Sequence, residues 1–64
     1  MGTPTVSLFK GIKPAGATHE WFNQNGSWRG WLKVGDWVYC HDDRYGWITV
    51  AKHPSSIPGK VVPL

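Results

Sequence analysis

At 64 residues the chain has room for one domain with a small core. Eight Gly and five Pro, with no run of Ala, Leu, Glu and Lys, exclude a helical bundle and favour a small all-β fold. A formal charge of +3 favours anionic partners in general, but the seven Lys and Arg are scattered rather than gathered into the dense basic run of a nucleic-acid tail.

Cys40 is the one cysteine, so no intrachain disulfide can supplement the core. The five tryptophans must carry much of that burden. Each large ring buries roughly 150 to 250 Å², more than a chain this short can hide five times over, so part of the set is expected on the surface as a binding face. No apolar run is long enough to cross a membrane and no signal-peptide pattern is present, so the expectation is a soluble domain spanning residues 1–64 with no membrane partner.

In chain order, residues 6–10 read as a first strand with Val6 and Leu8 inward, followed by a Gly- and Pro-containing loop over residues 11–16. Asn25-Gly26 predicts a two-residue type I′ turn, because this pair readily takes positive φ angles. That turn pairs Gln24 with Ser27, Asn23 with Trp28, Trp21 with Gly30, Glu20 with Trp31 and His19 with Leu32. Side-chain alternation then puts Trp21, Trp28, Leu32 and Val34 on a core face, and Glu20, Phe22, Arg29, Trp31 and Lys33 on a solvent face.

A second break falls at Lys33-Val34-Gly35-Asp36, before two further strands over residues 37–40 and 45–50. Residues 41–44 form the turn between them. With a three-residue or bulged loop, Val38, Cys40, Ile48 and Val50 make an aliphatic inner face, leaving Trp37, Tyr39, Tyr45 and Trp47 on the other side. Residues 53–59 are a loop, and residues 60–62 close the sheet as an edge strand that Pro63 stops. Short strands with loops of this size predict a small, strongly bent, five-stranded barrel.

The order of these elements resembles that of SH3-like barrels. In that family a Lys-x-Gly-Asp turn enters a strand, as at residues 33–36; a Gly-Trp pair begins the next, as at Gly46-Trp47; and a Pro-containing turn precedes the last, as at Ile57-Pro58-Gly59. The likeness covers about the second half of the chain. The acidic loop and Ala-Leu-Tyr-Asp-Tyr opening of SH3 domains are missing, which points to bacterial or phage SH3-like modules and away from Pro-rich peptide binding. Gly35-Asp36-Trp37-Val38 and Tyr45 also resemble the spacing in small chitin-type carbohydrate-binding modules, with Thr49 standing where those often carry a stacking ring.

The residue patterns do not favour catalysis. Cys40 and His41 are adjacent in a strand and so point to opposite faces, where they cannot act as nucleophile and base; Cys40 reads as a small core residue. His19, His41, His53 and Cys40 lack the paired spacing of a zinc site, Asp42-Asp43 reads as a backbone-bonding turn, and no Gly-rich phosphate loop leads into a helix. The expectation is a non-enzymatic module without metal or cofactor. Its ligand-binding groove would use Trp31, Trp37, Tyr39, Tyr45 and Trp47, with Arg29, Lys33 and Arg44 steering acidic groups, to hold a peptide or cell-wall-like polymer. Two alternatives use the same rings: a binder of single-stranded nucleic acid, or a structural subunit whose aromatic face is an oligomer interface. Charge at the edge of that face, from Arg44 and Asp42-Asp43, favours a monomer or weak dimer.

Overall fold

The computed structural model describes residues 11–64, so the strand expected over residues 6–10 lies outside the described part. Five strands follow in chain order: β1 (His19–Phe22), β2 (Trp28–Val34), β3 (Val38–Asp42), β4 (Gly46–Ala51) and β5 (Lys60–Pro63). They form one antiparallel sheet in the order β4-β3-β2-β1-β5, so the last strand returns to lie beside the first. Among the described residues the fold is all-β and the sheet is open, with β4 and β5 as its edges. A 3-10 turn at Pro54–Ser56 carries the chain from one edge to the other.

The first hairpin keeps the expected register at one end only. His19 faces Leu32, Glu20 faces Trp31 and Trp21 faces Gly30, but Phe22 faces Trp28 because β2 carries an extra residue, Arg29. The turn is correspondingly a three-residue one, not the two-residue type I′ turn expected from Asn25-Gly26. Asn23 N–H donates to the Ser27 carbonyl, Gly26 N–H donates to the Asn23 carbonyl, and positive φ falls on Gly26 (92°) and not on Asn25. The Asn25 side chain instead accepts from Ser27 N–H, which favours an ordinary first turn followed by a left-handed glycine.

That single bulge exchanges two side chains between faces. Trp28, expected beside Trp21 in the core, pairs with Phe22 and sets its ring edge-on to Trp31, with centroids 5.5 Å apart. Arg29, expected beside Trp31, lays its guanidinium over the Trp21 ring at 4.4 Å. The physical reason is that strand side chains alternate, so one inserted residue reverses every face assignment beyond it.

The core is compact and lies on the face of Trp21. Leu32 and Val38 are fully buried and Trp21 nearly so, with Val34, Cys40, Ala51, Ile57 and Val61 packed around them. Trp21 spans the sheet and donates its indole N–H to the Pro58 carbonyl at 2.8 Å, tying β1 to the segment before β5. Cys40 occupies the space that Gly30 leaves: a Cβ on Gly30 would stand 3.4 Å from its sulfur.

β3 and β4 are joined by the three-residue loop that the sequence favoured. Asp42 faces Gly46, and the Asp42 carboxylate accepts from both Arg44 N–H and Tyr45 N–H at 2.8 Å. His41 and Asp42 therefore belong to the strand, although residues 41–44 were expected to be the turn. A second bulge, at Val50, places Ala51 opposite Val38 and leaves Val50 exposed, so Val50 is not part of the aliphatic inner face expected for it. Ile48 does sit opposite Cys40, but at the rim of the sheet, and is 41% exposed.

Candidate functional site

The face opposite the core carries a belt of rings whose positions follow from strand pairing. Lys33 faces Tyr39, which faces Thr49; His41 faces Trp47; Glu20 lies between Trp31 and Val62. Residues paired across antiparallel strands share a face, so these side chains form one surface. The Lys33 ammonium lies 5.0 Å from the Tyr39 ring centre and 5.1 Å from that of Trp47, near enough for both rings to attract the cation. The His41 ring meets Trp47 edge-on at 5.1 Å, continuing the belt toward the edge-on pair of Trp28 and Trp31.

Trp28, Trp31, Lys33, Tyr39, His41 and Trp47 are half-buried, each ring leaning on its neighbours, while Thr49 at the edge is exposed. The loop before β1 also contributes cover: at Gly16, whose φ is 95°, a Cβ would stand 3.5 Å from Lys33 Cδ and 3.7 Å from Trp47 Nε1. Two depressions border residues of this face. A cleft of about 230 Å³ is bounded by Trp28, Trp31, His41 and Asp43. A wider groove of about 850 Å³ runs past Glu20, Phe22 and Val62 to Lys60 and the turn at Asn23. No family model, characterised protein or solved structure matches this chain.

The predicted site residues separate into two groups. Trp31, Lys33, Tyr39 and Trp47 come together on the belt. Arg29 is on the opposite face, over Trp21. Trp37 stands in the turn between β2 and β3, 43% exposed, with the Lys52 ammonium 4.4 Å from its ring centre. Arg44 and Tyr45 lie in the β3–β4 turn, where Tyr45 is 73% exposed. Trp28 and His41 are the belt members that the sequence reading did not select. Counting alternation back from Trp47 across a three-residue turn would have found His41; the Arg29 bulge hides Trp28.

Cys40 and His41 do point to opposite faces, the thiol toward the core and the imidazole onto Trp47. Burial pushes the Cys40 thiol above its ordinary value, an effect opposed by the Arg29 charge and reinforced by Asp42. The thiolate is therefore scarce at neutral pH. We expect an aromatic disulfide reagent at about pH 8 to modify Cys40 at least tenfold more slowly in the native protein than in denaturant. Equal rates would mean that the thiol is not held against Gly30. Among the described residues, no group of three His, Cys, Asp or Glu is placed to hold a metal ion, and no helix is long and apolar enough to cross a membrane.

Proposed function

We propose that the chain is a non-catalytic binding module of SH3-like type, which holds an extended peptide or cell-wall-like polymer on its aromatic belt. The observation that carries this reading is the gathering of Trp28, Trp31, Lys33, Tyr39, His41 and Trp47 on one sheet face, with a cleft between the two ring pairs. Rings already fixed by edge-on packing lose little freedom when a ligand stacks on them. Lys33, held between Tyr39 and Trp47, offers a positioned cation for an acidic or carbonyl group.

Barrel closure is part of the proposal. It is supported by the turn over residues 35–37 entering β3, by Gly46-Trp47 opening β4, and by the 3-10 turn and Pro58-Gly59 preceding β5. The bulges at Arg29 and Val50 favour coiling of the sheet, since an extra residue bends its strand and increases local twist.

The test is a titration of the protein with soluble cell-wall fragments, with extended peptides and with single-stranded DNA, followed by tryptophan fluorescence and amide chemical shifts. Shifts should cluster at Trp31, Lys33, Tyr39 and Trp47, and Tyr39→Ala should weaken binding about tenfold or more. Binding to DNA should be weak and lost at about 0.2 M salt, because each phosphate contact releases counterions. Tight DNA binding that survives that salt would instead assign the belt to stacked bases. Saturable binding whose shifts avoid the belt would overturn the proposal.

A further inference from the structure

The two edges of the sheet are protected unequally. β5 is four residues long, begins at Lys60 and ends at Pro63, a charge and an imino acid that discourage strand addition. β4 runs through Gly-Trp-Ile-Thr-Val-Ala with no charged residue and no proline, and Ile48, Thr49 and Val50 are all exposed. Every second residue of an edge strand aims its N–H and C=O away from its neighbour, so among the described residues β4 offers unpaired backbone beside β-branched side chains.

We propose that β4 is a self-association edge, on which a second copy of this chain pairs antiparallel across a two-fold axis near Ile48 and Thr49. The ends of the strand supply the argument for a second copy. At one end the β3–β4 turn presents Asp43, Arg44 and the exposed ring of Tyr45; at the other, Lys52 lies over the exposed ring of Trp37, next to Asp36 in the preceding turn. An antiparallel two-fold brings the first end of each copy to the second end of the other. Asp43 then approaches Lys52, Arg44 approaches Asp36, and Tyr45 approaches Trp37, twice over. A parallel pairing would oppose like ends and lose this complementarity. The proposal also gives a place to Trp37, Arg44 and Tyr45, which the aromatic belt leaves out, and it stands independently of what the belt binds.

The straight part of β4 is short, because the Val50 bulge interrupts it, so the dimer is weak and forms between micromolar and millimolar concentration. Sedimentation equilibrium across that range tests it with two oppositely charged variants. Thr49→Lys and Thr49→Glu each place like charges together at the two-fold and should weaken self-association at least about tenfold, while an equimolar mixture of the two should recover it as a heterodimer. Val50→Lys, at an exposed side chain, supplies a second disruptive change, and far-UV circular dichroism verifies that each variant is folded. A wild-type chain that stays monomeric to millimolar concentration overturns the proposal. So does undiminished association of the Lys variants, or a mixture of the Lys and Glu variants that stays monomeric.

Discussion

Trp21→Ala is expected to cost about 3 to 5 kcal/mol and to leave the domain largely unfolded before any urea is added. The ring is 8% exposed and fills the centre of a core that contains only two other fully or nearly buried side chains among the described residues, Leu32 and Val38. Its indole N–H also satisfies the Pro58 carbonyl. Trp28→Ala, on the other face and half-buried, should cost about 1 to 2 kcal/mol, the area term without the central cavity. Trp21→Phe isolates the hydrogen bond, worth about 1 kcal/mol, from most of the packing. Equal urea midpoints for the Trp21 and Trp28 alanine variants would refute the division into a core face and a belt face.

Gly59→Ala should be nearly as damaging, although only one methyl group is added. Gly59 has φ 94°, and a Cβ there would run into the Phe22 carbonyl oxygen and lie 3.3 Å from Trp21 Nε1. Left-handed backbone costs a residue with a Cβ about 1 to 2 kcal/mol. Collision with backbone adds to this, because a carbonyl in a paired strand cannot swing aside as a flexible side chain can, and a loss of at least about 3 kcal/mol is expected. Gly26→Ala is the control: its φ is 92°, but nothing lies within 4 Å of the added carbon, so only the conformational cost of about 1 to 2 kcal/mol applies. If thermal unfolding finds the two variants equally stable, β1 does not approach Gly59 as closely as described.

Much of the sheet was legible because turn chemistry and alternation are local signals. The register from His19–Leu32 to Trp21–Gly30 agrees with the expected one because the three-residue turn and the Arg29 bulge offset each other, whereas the three-residue loop after Asp42 follows from keeping Val38 and Cys40 with Ile48. The bulges were not legible. Neither Arg29 nor Val50 is a glycine or proline that would mark an irregularity, and each fits the composition of a regular strand. The face of Trp28 was thus misread while the pairing of Trp21 was not: an alternation count is right on one side of an inserted residue and inverted on the other. Trp37 and Tyr45 left the belt for a related reason, since hydrophobic composition marked them as strand residues while the turns on either side of β3 claimed them.

The pairing of β1 with β5 has a consequence for how the chain acquires its structure. β2, β3 and β4 are successive neighbours that can zip through short turns, whereas β1 finds β5 only after residues 19–22 meet residues 60–63, and the Trp21–Pro58 bond spans 37 positions of sequence. Closing so long a loop is entropically expensive and forms contacts late. Capture of residues 58–63 by β1 is then the step that closes the longest loop of the sheet, and Trp21 is sealed into the core only when that segment has docked.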